Sequence, residues 1–225
     1  MIINHAHRFI FIHVPKSAGS TVTSLLSKMT TYRDQEIGST PHAAALLAYY
    51  STRFGLRKHS AAEEVVKIVG HDIWQEYFTF GFVRNPYWRL VSAFNFLKSW
   101  NGTPEKFRTI LQQYPSVNEF LLSDTWTTLP GPDHLFCPQA LWLTFGKEHP
   151  RLAVDFVGRT EHMASDLASI RRRLHLPAVT NPPPEKNKSP AYEPPEGWPA
   201  EVVRRVQSHY AIDFEMFGYD RDPPS

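Results

Sequence analysis

Apolar and polar positions along the chain follow two periods, and these lay out its elements. Residues 8–14 (RFIFIHV) form a short β-branched and aromatic run closed by Pro15, which predicts a buried strand. A helix is expected over 19–29, where Val22, Leu25, Leu26 and Met29 share a face. Polar residues and glycine predict a loop over 30–41. A second helix is expected over 42–54, with Leu46, Leu47, Tyr50 and Phe54 turned inward. Ser60 followed by Glu63 fits a capping box, Val65, Val66 and Val69 supply an apolar stripe, and Gly70 ends that helix. His59 then stands just ahead of it and His71 just beyond it.

The pattern repeats further on. Residues 78–83 (FTFGFV) predict a second buried strand, followed by a turn at Arg84 and Asn85 and a helix opened by Pro86, with Leu90, Val91, Phe94 and Leu97 inward. Short helical pieces and Pro/Gly breaks alternate over 101–146. A third strand is expected at 153–158 (AVDFVG), then a helix over 161–174. The proline-rich stretch 177–199 excludes long helix and central strand and reads as an ordered wrap, because Val202, Val203, Val206 and Tyr210 return the chain to a core. Strands alternating with helices predict an α/β layered protein with a mainly parallel sheet.

Composition narrows the function classes. With 225 residues, one domain spanning the whole chain is the default. A formal charge of +2 does not describe a surface that coats a polyanion, so no nucleic-acid partner is expected and any anion site must be local. Cys137 is the single cysteine; it can form no internal disulfide and reads as a small buried hydrophobe. The apolar run at 9–14 is too short for a membrane span and lacks a cleavage site, so the chain reads as soluble and unsecreted, with the cytoplasm as its expected location.

The chemistry concentrates at the strand ends. In "FIHVPKSAGSTV" (11–22), Ser17, Ala18, Gly19, Ser20 and Thr21 offer backbone N–H groups and hydroxyls to an anion at a helix start, and Lys16 supplies full positive charge. The lysine precedes the glycine, the reverse of the nucleotide-binding order G-x-x-x-x-G-K-[ST], which opposes ATP as the ligand. At the second turn Arg84 leaves the strand, and Ser92 lies two helical turns further on; a guanidinium and a hydroxyl can grip a second phosphate. Singly, such an arginine is often a surface ion-pair former and such a serine merely tolerated. Two clamps on two βα turns suit a ligand that is anionic at both ends.

"HVPKSAGST" and "FGFVRNPYWRLVSAF" resemble the 5′-phosphosulfate loop and the 3′-phosphate motif of sulfotransferases that use 3′-phosphoadenosine 5′-phosphosulfate (PAPS). The resemblance is to carbohydrate sulfotransferases related to heparan sulfate 2-O-sulfotransferase. It continues in order through "KHSAAEEVVKIVGHDIWQEYFTF", "CPQALWL", "DFVGRTEHM", "EKNKS" and "YAIDFEMFGYD". It implies a P-loop-like three-layer fold, with PAPS as donor and a hydroxyl acceptor, a sugar or glycan. It further implies Lys16 on the leaving phosphate, Arg84 and Ser92 on the 3′-phosphate, and Asn187, Lys188 and Ser189 closing over the nucleotide. Gln139, Arg159 and Glu161 match positions that the family keeps near the cofactor or acceptor. Thr160 and Cys137 depart from the family pattern.

Transfer to an alcohol also needs a base, and histidine suits neutral pH. His59 in "KHSAA" and His71 in "GHD" both match family elements; His59 is preferred, because a helix N-terminus favours the neutral imidazole. His42 ranks third, and His13 could face either the sheet or the cofactor. No metal is expected: the eleven histidines include no HExxH spacing. Two other readings stand beside the sulfotransferase: a P-loop kinase acting on a small alcohol or nucleoside, and a noncatalytic PAPS-binding module.

Overall fold

The computed structural model describes residues 1–129, 134–146, 148–176 and 197–224. Asn187, Lys188 and Ser189, with most of the proline-rich stretch, lie outside the described residues. The chain divides into two compact units, one drawn from Met1–Val83 and Gln139–Asn187, the other from Arg84–Pro138 and Lys188–Ser225.

The first unit opens with β1 (Ile2–Asn4), β2 (Phe9–Ile12) and α1 (Gly19–Leu26), which tightens into a 3-10 turn over Ser27–Met29. Then come β3 (Gln35–Glu36), α2 (Pro41–Ala45), α3 (Leu47–Phe54), α4 (Ala62–Val69), α5 (His71–Glu76) and β4 (Phe78–Val83). The second unit takes α6 (Pro86–Ser99), α7 (Glu105–Gln112), α8 (Val117–Leu122) and α9 (Thr125–Thr128). The first resumes with α10 (Ala140–Leu143), β5 (Thr144–Phe145), β6 (Arg151–Leu152), β7 (Phe156–Arg159), a 3-10 turn at Thr160–His162 and α11 (Met163–Arg173). The second ends with α12 (Ala200–His209) and α13 (Ala211–Phe217).

The main sheet has five strands in the order β3-β1-β2-β4-β7. β2, β4 and β7 run parallel, in a register that places Phe11 beside Phe80 and Phe80 beside Phe156, while β1 runs antiparallel to β2 and β3 at one edge. Parallel strands are covered on both faces, which is why β2 and β4 read as mainly apolar, aromatic-rich runs. On one face Phe9, Phe11, Phe80 and Phe82 pack with Val22, Leu25 and Leu26 of α1 and with Leu167 and Ile170 of α11. On the other, a Cβ added to Gly81 would lie 2.5 Å from Cδ2 of Leu143 in α10, so only glycine lets that helix come so near. This unit is a helix–sheet–helix sandwich; β5 and β6 pair as a separate antiparallel ribbon.

Several boundaries differ from the sequence reading. β1 and β3 arise where no strand is expected, since segments of three and two residues carry no periodicity and exist only through their pairing. The helix expected over 42–54 breaks at Leu46, which ends α2 and begins α3. α3 buries none of its residues, and Phe54 is 38% exposed rather than inward, grouped instead with Tyr49 and Tyr50. α4 starts one turn position later than the Ser60 box implies. The Glu64 carboxylate accepts from the Ala61 N–H at 2.7 Å, while Ser60 Oγ accepts from the Arg57 N–H. β7 begins at Phe156 because Asp155 is spent on a polar clamp, its Oδ2 accepting from both N–H and hydroxyl of Thr79.

In the second unit, Asn85 caps α6 by accepting the Tyr87 N–H at 3.0 Å, with Pro86 at the first helical position. Tyr87, Leu90, Phe94 and Leu97 form its core with Phe120, Trp126, Val206 and Tyr210. Cys137 is half-buried, and burial pushes its thiol upward, against use as a thiolate. No described helix is long and apolar enough to cross a membrane.

Candidate functional site

Adjacent parallel strands bring the carboxyl ends of β2 and β4 to one edge of the sheet, the edge where ligands of such folds bind. From β2 the chain passes through His13, Val14 and Pro15, all buried, into the lysine loop. Lys16 and Ala18 both adopt left-handed backbone, with φ of 64° and 55°. For residues other than glycine that form costs roughly 1–2 kcal/mol each, and it recurs where successive N–H groups are gathered into an anion-holding concavity. The Thr21 and Val22 N–H groups return to the Ala18 carbonyl at 2.9 and 3.2 Å, which opens α1. The N–H groups of Gly19 and Ser20 precede the first intrahelical bond, so a helix start with a lysine beside it follows the carboxyl end of β2.

Ser17 braces this turn from within. It is fully buried and donates its hydroxyl to Gln139 Oε1 at 2.9 Å, across 122 residues of chain. Ser17 can therefore serve an anion with its backbone, whereas Ser20 and Thr21 are half-buried residues with hydroxyls of their own. Gln139, itself fully buried, acts here as the loop's support.

His59 lies against the same turn. Its Nδ1 is 2.7 Å from the His13 carbonyl oxygen, and a carbonyl can only accept, so Nδ1 carries the hydrogen. In the neutral ring the basic lone pair is then on Nε2. The backbone of His59 is anchored in turn: its carbonyl accepts the Trp142 indole N–H at 2.9 Å. The His13 and His59 rings meet edge to face at 4.7 Å. His13 is held well below its ordinary 6.5, by burial first and then by its electrostatic interaction with His59, the amino terminus and Lys58, so it stays neutral.

The remaining candidates divide. Arg84 directly follows β4 and is half-buried, as is Ser92 on α6. His71 begins α5, exposed, and no side-chain hydrogen bond or ion pair joins it to another described residue. His42 is exposed on α2. Arg159 ends β7 and its N–H donates to Asp166, while the Thr160 hydroxyl donates to the Val83 carbonyl, pinning the end of β4. Ser39, whose Oγ is 3.3 Å from His13 Nδ1, and Trp142 escape a reading of the sequence, since nothing local marks either. Among the described residues no group of three His, Cys, Asp or Glu could hold a metal ion. A cavity of about 290 Å³ lined by Arg8, Phe78, Asp155 and Arg173 lies at the amino ends of β2, β4 and β7, away from the lysine loop.

A sequence model of the Sulfotransferase family matches residues 1–220. The chain is 24% identical over 265 residues to carbohydrate sulfotransferase 12 of Xenopus laevis, covering 98% of this chain and 60% of that protein. It is likewise 24% identical over 261 residues to carbohydrate sulfotransferase 12 of Mus musculus, with the same coverage. The chain thus spans about 60% of the length of the curated relatives it matches. No solved structure matches.

Proposed function

Because the chain belongs to the sulfotransferase family, we propose that it transfers the sulfuryl group of PAPS to a hydroxyl of a carbohydrate, with His59 as the base. The observation that carries this reading is the joint fixation of loop and base. Lys16 sits in a doubly left-handed turn at a helix start, and His59 is bonded through Nδ1 to the residue that leads into that turn. The donor set fits a phosphosulfate: a lysine, unpaired helix-start amides and small hydroxyls match a compact anion with several oxygens.

PAPS supplies the activated sulfuryl group, which leaves adenosine 3′,5′-bisphosphate behind. Lys16 and the amides around Gly19 neutralise the charge that collects on the leaving phosphate oxygen as its bond to sulfur breaks. The acceptor oxygen forms the new bond to sulfur, and its proton passes to Nε2 of His59. Positioning and electrostatics carry the acceleration, with no covalent intermediate on the protein. Arg84 and Ser92 hold the 3′-phosphate, and Asn187, Lys188 and Ser189 contribute by family resemblance. The carbohydrate acceptor follows the names of the relatives.

The test is to incubate the protein with PAPS and a panel of glycans and follow release of adenosine 3′,5′-bisphosphate. Lys16→Ala should lower kcat by about 10²–10³, the usual loss for one charge-stabilising donor, and Arg84→Ala should chiefly raise the KM for PAPS. PAPS binding without transfer to any glycan would make the chain a binding module. Preference for ATP would restore the kinase reading.

A further inference from the structure

The mechanism above uses the carbonyl of His13 but not its ring, and the ring is the more constrained part. His13 is only 3% exposed. Its ring lies 5.7 Å from that of Phe11, meets His59 edge to face at 4.7 Å, and has Nδ1 3.3 Å from Ser39 Oγ. Its far edge rests on the first residue of α1: a Cβ on Gly19 would fall 2.1 Å from Cδ2 and 2.2 Å from Nε2. One imidazole is thus wedged between the start of the helix that opens the lysine loop and the ring assigned as base.

We propose that His13 is a positioning residue for sulfuryl transfer, whose ring holds His59 in the Nδ1–H tautomer and fixes that base relative to the lysine loop. A neutral imidazole in water favours hydrogen on Nε2, the tautomer that would leave no lone pair there for the acceptor's proton. The bond from His59 Nδ1 to the His13 carbonyl reverses that preference. The bond persists only while the carbonyl keeps its aim, and the ring clamped between Gly19 and His59 keeps it. A second imidazole is suited to the place because it remains uncharged. The charged and titratable groups that face it are His59, Lys58 and the amino terminus, and each disfavours a proton on it.

The proposal rests on His59 being the base, so the deciding measurement does not depend on turnover. Long-range 15N–1H correlation spectra report which nitrogen of His59 carries hydrogen in the full chain. The wild type should show Nδ1–H. In His13→Gln and His13→Ala, checked for folding by thermal melts, His59 should move to Nε2–H or an averaged tautomer. With PAPS and an accepting glycan, kcat should fall roughly ten- to a hundred-fold, a part of what a general base contributes, while the KM for PAPS stays within about threefold. Ser39→Ala removes only the contact to Nδ1 of His13 and should shift the tautomer in the same direction by less, which keeps the idea testable if the His13 variants do not fold. A wild-type His59 already in the Nε2–H form, or an unchanged tautomer in any folded His13 variant, overturns it. Absence of turnover in the wild type would count against the proposed function and leave the tautomer result to decide this point.

Discussion

Gly19 and His13 set the tolerances around the lysine loop, and each makes its own prediction. Gly19→Ala would push a methyl into the His13 ring, and the ring, buried against Phe11 and His59, has little room to retreat. Overpacking of this kind costs about 1–3 kcal/mol, and for a chain of this size each kcal/mol lowers Tm by roughly 2–4 °C. A thermal melt of Gly19→Ala should show that loss; an unchanged Tm would mean that the ring is not wedged. The second prediction concerns pH. His13 in the folded chain gives up its proton well below 6.5, so between that point and 6.5 the unfolded chain binds a proton that the folded chain does not. Stability should therefore rise with pH through this window by about 1.4 kcal/mol per unit and level off for this group above 6.5. His209, also lowered by burial against the upward pull of its bond to the Phe136 carbonyl, adds slope in the same direction. In His13→Gln the urea-unfolding free energy should vary less steeply with pH below 6.5, though not flatly, and an identical slope would remove His13 as a source.

At the level of elements, the turn after β4 depends on one cap. Asn85 accepts the Tyr87 N–H and fixes where α6 begins, two residues after Arg84. Asn85→Ala should cost about 1 kcal/mol, with Asn85→Asp retaining most of that stability, as denaturant melts can check. Equal melts for all three would mean that Pro86 alone sets the helix start. The same turn illustrates what could be read in advance. β2, β4 and α6 were legible because their signals are local: FIFI and FTFGFV are short, aromatic-rich runs, and Pro86 marks a helix start. β1 and β3 were not, since Ile-Ile-Asn and Gln-Glu acquire strand form only from their neighbours. The Ser60 cap was misplaced by one residue because Glu63 and Glu64 both stand where a box could close, and only the fold selects Glu64. For the candidate site, the loop and Arg84 are written in contiguous motifs. The supports of the loop and of His59 are not: Gln139 reaches Ser17 and Trp142 reaches His59 across 122 and 83 residues. No spacing rule anticipates contacts set by how strands and helices are layered.

For the molecule as a whole, a formal charge of +2 provides little long-range attraction, so the affinity proposed for a doubly phosphorylated nucleotide would have to come from local clamps. A ligand that binds only the folded state stabilises it by RT ln(1 + [L]/Kd), about 2.7 kcal/mol at a hundred times Kd. With roughly 2–4 °C per kcal/mol, adenosine 3′,5′-bisphosphate should then raise Tm by about 5–11 °C. Adenosine 5′-monophosphate lacks the 3′-phosphate assigned to Arg84 and Ser92. A hydrogen-bonded contact to a charged group is worth about 1.5–3 kcal/mol, which weakens binding roughly ten- to a hundred-fold. At the same concentration the stabilisation should shrink to about 0.4–1.4 kcal/mol, a shift of a few degrees at most. In Arg84→Ala the two nucleotides should become nearly equivalent, because the group that distinguishes them has lost its partner. Lys16→Ala should leave their difference intact while lowering both shifts, since the lysine acts at the 5′ end that they share. If the preference for the 3′-phosphate survives loss of Arg84, that phosphate is held elsewhere, and the division of labour between the two βα turns is wrong even if sulfuryl transfer itself is right.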